Sequence, residues 1–231
     1  SDVDVMYVLA DSAPTEDSED TSLRLERATR IASLVASICS SPGKEPPLWS
    51  VDANLRPEGR DGALVRTIDS YRAYWERWAQ NWEFQALLKA RPCAGDMEVG
   101  ERFLECAAPF IWEASARPGF VDDVRSMRAQ VENSVPPKVR DSELKLGVGG
   151  LRDIEFSIQF LQLVHGRNDI QIRQRSTLGA LGALSARGYI ARTDAAHLRE
   201  AYAFLRTLEH RSQLLRMHRT HTLPTGLHQL E

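Results

Sequence analysis

The sequence predicts an α+β domain followed by an all-helical one. Three observations carry this: β-prone apolar runs confined to the stretch before Ile68, helical apolar spacing between and after them, and the loss of β-prone alternation beyond Asp96.

The elements follow in chain order. Val3, Val5, Met6, Tyr7, Val8 and Leu9 form a short strand, ended by the acidic, Ser/Thr/Pro-containing stretch from Asp11 to Thr21. From Ser22 to Ser40 the residues Leu23, Ala28, Ile31, Leu34, Val35 and Ile38 recur at helical spacing, and Ser41, Pro42 and Gly43 stop the helix. A second strand runs from Leu48 to Leu55, with Trp49, Val51, Ala53 and Leu55 on one side and Ser50, Asp52, Asn54 and Arg56 on the other. The Pro57 to Gly62 loop leads to a third strand, Ala63 to Thr67, so that a small mixed sheet with helices on one side is expected. The segment Ser70 to Arg91 places Tyr74, Trp75, Trp78, Trp82 and Leu88 along one helix, an aromatic stripe that reads as core packing. The break at Pro92 to Asp96 sets a domain boundary, giving residues 1–97 and 98–231. Helices are predicted at Val99–Glu113, Val121–Val135, Gly150–His165, Ser176–Arg187 and Asp194–Met217, joined by loops bearing Pro136, Pro137, Gly147, Gly166 and Gly188.

Composition narrows the function. At 231 residues and 42% hydrophobic, the chain can bury one large core or two small ones. A net charge of -3 argues against a protein that grips nucleic acid through its phosphates. No apolar run reaches the roughly 20 residues of a membrane helix, and no charged-then-apolar leader opens the chain. Cys39, Cys93 and Cys106 lack metal-ligand spacing and read as thiols in a reducing cytosol, so a cytoplasmic location is expected. Because β-prone residues begin almost at Ser1, the natural polypeptide is expected to start further upstream.

The chemistry concentrates in three places. Asp2 and Asp4 stand two residues apart on a strand, and the pleat's period of two aims both at one face. Asp52 points away from the apolar side of the second strand and would join them if the strands are neighbours. Carboxylates converging in this way suit magnesium, a hard cation that takes oxygen ligands, and with it in-line displacement at phosphorus. A DxD pair taken alone is a weak signal that reads first as a solvated strand end; the company of Asp52, Asn54 and Arg56 raises the metal reading. Around the following loop lie Arg56, Arg60 and Arg66, with Lys89 and Arg91 at the end of the next helix. These cations would neutralise phosphate charge, or else are solvated, with Lys89 and Arg91 serving a helix C-terminus. Arg56 is singled out because it shares a strand face with Asp52. The third place is the glycine-rich turn before the Gly150 helix, where Gly149 and Gly150 would offer backbone amides to an anion. On that helix Arg152, Glu155, Gln159 and Gln162 form a polar stripe that lines a cleft or faces water. His218 and His221 have near-ligand spacing but no acidic or cysteine partner nearby in sequence, and read as surface histidines.

Four segments together carry a family resemblance: Asp2-Val3-Asp4, residues 51–66 (VDANLRPEGRDGALVR), residues 82–91 with Gly95 and Asp96 (WEFQALLKAR), and residues 145–156 (KLGVGGLRDIEF). In this order and spacing they resemble the bifunctional glutamine synthetase adenylyltransferase/adenylyl-removing enzymes, over nearly the whole chain, and the loop wording resembles actinobacterial members. The resemblance implies a nucleotidyltransferase domain of the DNA polymerase beta type, here incomplete at its start because an upstream glycine turn and strand are absent, followed by a helical bundle domain. It implies that Asp2 and Asp4 hold Mg2+ and that Asp52 completes the site. The segments GGLRDIEFSIQ at 149–159, LVHGR at 163–167 and FLRTLEH at 204–210 resemble the adenylyl-removing half. That half removes AMP from a tyrosine of adenylylated glutamine synthetase by phosphorolysis, with inorganic phosphate attacking and ADP leaving. The alternatives are the ATP-dependent adenylylating half, and an inactive docking module for glutamine synthetase or the PII signal protein.

Overall fold

The computed structural model describes residues 3–11, 18–42, 50–216 and 220–223. It divides into two compact units, residues 1–110 and 111–231. The division falls inside a helix, later than the 97/98 boundary expected from sequence. The reason is aromatic: Phe103 and Phe110, well along that helix, pack on Trp75 at ring-centroid distances of 5.3 and 5.6 Å.

The first unit opens with β1 (Val3–Asp4), β2 (Tyr7–Leu9), α1 (Ser18–Ser40), β3 (Val51–Asp52) and β4 (Val65–Thr67). The strand anticipated at residues 3–9 takes two partners in succession. β1 pairs in parallel with β3, Val3 opposite Val51 and Asp4 opposite Asp52, while β2 pairs in parallel with β4, Tyr7 opposite Val65 and Leu9 opposite Thr67. Both ladders among the described residues are thus parallel, where a mixed sheet was expected. Parallel pairing needs a crossover, and α1 supplies one between β1 and β3.

α1 also turns a different face inward than its apolar periodicity suggested. Ala32 is buried, whereas Ile31, Leu34, Val35 and Ile38 are all exposed, Ile38 at 67%. Small side chains on the inner face let the helix lie close to the strands, and the larger ones are left outside.

α2 (Ile68–Arg77) follows β4 directly. Thr67 caps it, its hydroxyl accepting from the Ser70 amide at 3.2 Å. The single helix expected over 70–91 is two. α2 stops at Trp78, and α3 (Asn81–Leu87) starts afresh at a capping box in which the Glu83 carboxylate accepts from the Gln80 amide at 2.8 Å. The aromatic stripe is therefore broken. Tyr71, Trp75 and Phe84 are buried in the core, whereas Trp78 is 69% exposed. α4 (Met97–Glu113) closes the unit, with Phe103 edge-on to Tyr71 at 5.0 Å.

The second unit is helical: α5 (Phe120–Asn133), α6 (Leu151–His165), α7 (Thr177–Ala186) and α8 (Arg192–Arg216), within a few residues of the sequence expectation. Its core joins Ile154 and Ile158 of α6, Ile172 of the turn before α7, Ala180, Leu181 and Leu184 of α7, and Ala195 of α8. Residues 220–223 return to the unit, Leu223 donating to the Ser142 carbonyl at 2.9 Å and Leu144 to the His221 carbonyl at 2.7 Å. No described helix is long and apolar enough to cross a membrane.

Candidate active site

The parallel register sets the geometry at the carboxylates. Asp4 and Asp52 are direct partners on β1 and β3. Partners in a parallel ladder project to the same face about 4.8 Å apart, so two carboxylates sit side by side on adjoining strands. Asp4 is exposed and Asp52 half-buried, leaving the pair open on one side. Asp2, the remaining expected member, lies outside the described residues. Among those described, no group of three or more His, Cys, Asp or Glu side chains is gathered as a metal site.

Asp52 is oriented from its own strand end. Its Oδ1 accepts from the Asn54 amide at 2.8 Å, an Asx turn that bends the chain out of β3. The loop that follows is closed by Arg56. Its Nη1 donates to the Ala53 carbonyl at 2.8 Å, its Nη2 to the Arg60 carbonyl at 3.0 Å and its Nε to the Gly62 carbonyl at 3.0 Å. Inside this ring Pro57 is fully buried, and a Cβ at Gly62 would stand 2.0 Å from the Pro57 carbonyl oxygen. Glu58 is the one described non-glycine residue in the left-handed region, at φ 63°. Its carboxylate meets the Arg66 guanidinium at 2.5 Å, and Arg66 in turn donates to the Ser70 hydroxyl at 3.3 Å. Below the loop, burial pushes the Tyr71 phenol well above the usual tyrosine range, against the opposing pull of Arg66 and Arg56. It remains a neutral donor to the Tyr7 carbonyl at 3.3 Å.

The remaining cations differ in character. Arg60 offers its carbonyl to Arg56 and exposes its side chain. Lys89 and Arg91 are exposed just beyond α3. Arg56 spends three of its N–H donors on the loop, which leaves two of the five that a guanidinium carries.

In the second unit the glycine turn is occupied by its own chain. Gly149, at φ 72°, donates to the Asp153 carboxylate at 2.7 Å, and Gly150 donates to the Gly147 carbonyl at 3.0 Å. The Leu151 and Arg152 amides bond the Leu144 and Lys145 carbonyls, both at 2.9 Å. Amides anticipated to face an anion thus serve to hold the entry to α6, with Arg128 also bonded to Asp153. The polar stripe of α6 is likewise turned inward. Gln162 donates to the Ile172 and Gln174 carbonyls, each at 2.8 Å, and Gln159 is buried. Arg152 pairs with Glu155 at 3.8 Å and lies over the Phe156 ring at 5.4 Å. Glu155 accepts from Tyr202 at 3.1 Å, and burial beside this carboxylate pushes the Tyr202 phenol up.

His221 has the acidic partner that its sequence neighbours do not supply: Nδ1 lies 2.8 Å from the Glu209 carboxylate, which also pairs with Arg206 at 2.6 Å. Glu209 is buried, so His221 fastens the returning segment 220–223 to α8 rather than lying on the surface. His218 lies outside the described residues. The pairs Glu58–Arg66, Glu155–Tyr202 and Glu209–His221 escape sequence reading because each joins residues that no local period brings together.

The comparisons bear on the whole chain. Residues 1–106 match the family model described as glutamate-ammonia ligase adenylyltransferase, and residues 125–231 match that described as GlnD PII-uridylyltransferase. The chain is 53% identical over 224 residues to a bifunctional glutamine synthetase adenylyltransferase/adenylyl-removing enzyme of Streptomyces avermitilis, covering 97% of this chain and 22% of that protein. Proteins of the same description from Cutibacterium acnes and Leifsonia xyli are 52% and 51% identical, again over 97% of this chain and 22% of theirs. The chain spans about a fifth of the length of these relatives and is similar, over nearly its whole length, to one stretch of actinobacterial proteins described as bifunctional glutamine synthetase adenylyltransferase/adenylyl-removing enzymes.

Proposed function

We propose that the chain carries the magnesium-binding carboxylates of a DNA polymerase beta-like nucleotidyltransferase that removes AMP from adenylylated glutamine synthetase. The observation that carries the reading is the parallel register setting Asp4 beside Asp52, in a chain whose relatives are named for adenylyl transfer and removal. The donor set fits the metal, because paired carboxylates on one sheet face are hard oxygen ligands for a hard cation. Asp4 and Asp52, with Asp2, would hold Mg2+, which when bound supplies charge neutralisation at the phosphorus and at the attacking oxygen. Arg60, Lys89 and Arg91, exposed on the same unit, would take the phosphate and the diphosphate it becomes.

In this reaction an oxygen of inorganic phosphate forms a bond to the AMP phosphorus. The bond from that phosphorus to the tyrosine oxygen breaks, ADP leaves, and the tyrosine oxygen takes up a proton. The wording of residues 149–159, 163–167 and 204–210 favours this direction. The name of the model matching residues 1–106 favours the second reading, ATP-dependent adenylylation by the other half of the same enzyme. The match of residues 125–231 to a PII-uridylyltransferase model supports a helical unit related to PII signalling enzymes.

The test is phosphate-dependent ADP release from adenylylated glutamine synthetase with magnesium, using the full-length protein and its Asp4→Asn and Asp52→Asn variants. ADP that requires phosphate and disappears in both variants supports the removing reaction. AMP incorporation from ATP that disappears in the same variants assigns the adenylylating half. Neither activity assigns a docking module.

A further inference from the structure

We infer that Arg56 is a positioning residue for the Asp52 carboxylate, and that the loop it closes is built before any metal arrives. The inference rests on the metal reading above. It departs from the simplest role for an arginine beside a phosphotransfer site, direct contact with phosphate.

Four observations lead to it. First, the guanidinium fork of Arg56 engages the carbonyls of Ala53, Arg60 and Gly62, so one planar group ties both ends of the loop together. The Ala53 carbonyl belongs to the residue directly after Asp52, and the next amide, that of Asn54, orients the Asp52 carboxylate. Second, the loop has no slack: Pro57 fills its interior, and Gly62 stands where no side chain fits against the Pro57 carbonyl. Third, its backbone bonds are local and successive, Gly59 to Arg56 at 2.9 Å, Asp61 to Glu58 at 3.3 Å and Gly62 to Gly59 at 3.4 Å. Fourth, Glu58 is held in a left-handed conformation unfavourable to it, with its carboxylate pinned by Arg66 from β4. Such local strain persists only where the surroundings fix it.

The chemistry explains why a metal ligand would need this. A carboxylate on a short strand of two residues swings with its backbone, and the Asn54 amide fixes it only if the Asp52–Asn54 turn is itself fixed. Arg56 does that by holding the carbonyl in the middle of the turn. Groups bonded to a ligating side chain typically change metal affinity by roughly 10- to 100-fold when removed. Lysine keeps the charge but cannot reach three carbonyls from one plane.

The experiment is manganese titration of the full-length protein, read by the electron paramagnetic resonance of free Mn2+, for the wild type, Asp52→Asn and Arg56→Lys, each binding change being referred to the site that Asp52→Asn removes. It is paired with inorganic phosphate binding in the presence of saturating Mn2+. Expected are manganese binding by the wild type, its loss in Asp52→Asn, and in Arg56→Lys, which acts one bond further out than a direct partner of the ligand, an affinity lower by up to roughly 10-fold with phosphate affinity unchanged once the metal site is filled. Unchanged manganese affinity in a folded Arg56→Lys, with weakened phosphate binding, overturns the inference and makes Arg56 a phosphate ligand while leaving the metal reading intact. Manganese binding that is absent from the wild type, or indifferent to Asp52→Asn, overturns both. Should Arg56→Lys fail to fold, amide hydrogen exchange of the wild type decides. Protection of Gly59 and Gly62 that is equal with and without Mn2+ supports a pre-built loop, and protection that appears only with the metal overturns it.

Discussion

Gln162 offers a test of whether the polar stripe of α6 meets a ligand or the protein itself. Its side-chain nitrogen donates to the Ile172 and Gln174 carbonyls, both at 2.8 Å, and the residue is 3% exposed. Gln162→Leu preserves the volume roughly but leaves the half-buried Gln174 carbonyl without this donor and the Ile172 carbonyl with only the Gln174 amide, which donates to it at 2.8 Å. One unsatisfied acceptor costs about 1–3 kcal/mol, so a loss of that size is expected. For a unit of this size each kcal/mol is worth roughly 4 °C, so thermal unfolding followed by circular dichroism should move down by about 4–12 °C. Gln162→Glu sharpens the test. At neutral pH it sets a carboxylate against two carbonyl dipoles, so its acid should titrate above the usual glutamate value. The Glu variant should therefore lose stability as pH rises from 4 to 7, while the Leu variant stays level. A Leu variant within about 0.5 kcal/mol of wild type, the range of an ordinary surface change, would refute the structural role and return Gln162 to the candidate ligands.

Four further outcomes follow from particular contacts. The Glu209 carboxylate is held below its usual value: burial opposes ionisation, but the His221 bond and the Arg206 and His221 charges outweigh it. A depressed carboxylate stabilises the fold above its unfolded pKa of about 4.5 and ceases to do so as pH falls through its lower folded value. Wild type should therefore exceed Glu209→Gln in urea stability at pH 6 and converge with it near pH 3; a gap constant with pH would contradict this. At position 58, glycine should be more stable than alanine by about 1 kcal/mol, since both lose the Arg66 pair and only alanine retains the left-handed strain; chemical denaturation of Glu58→Gly and Glu58→Ala measures it. Replacing Ile31, Leu34 or Ile38 with serine should change the urea midpoint by less than the equivalent of about 0.5 kcal/mol, because these side chains are exposed, and a large loss would place them in a core. Trp75→Ala should cost about 3–5 kcal/mol, since its ring packs on Tyr71, Phe103 and Phe110, whereas Trp78→Ala should be nearly silent.

The contrast between Trp75 and Trp78 shows where sequence reading stopped. Apolar spacing identified a helical, aromatic region correctly, but both residues fit the same continuous period. What separates them is the end of α2 at Trp78, after which the capping box of Gln80 and Glu83 starts a new helix. Helices α5 to α7 of the second unit were legible to within a residue or two because glycines and serines flank them, as Ser176 does before α7. The face of α1 was not, since periodicity finds the larger apolar stripe and cannot know that parallel strands admit the smaller one. Register was equally hidden. Alternation put Asp4 and Asp52 on polar faces, but only the ladder that joins Val3 to Val51 makes them neighbours.

Arg56 marks the deeper boundary of what the pattern could reveal. Alternation placed it on the face of Asp52, and charge alone suggested an anion. Both inferences treat a side chain as a point charge on a regular strand. The strand ends at Asp52, however, and the chain then turns so tightly that carbonyls of residues 53, 60 and 62 converge around one guanidinium. Three carbonyls, those of Ala53 and Gly62 half-buried and that of Arg60 exposed, are acceptors that are always present, whereas a substrate is present only in passing. An arginine whose fork meets permanent acceptors is thereby committed to structure first. Its influence on chemistry then runs through the carboxylate it steadies, which is why a lysine in its place should alter the metal before it alters the phosphate.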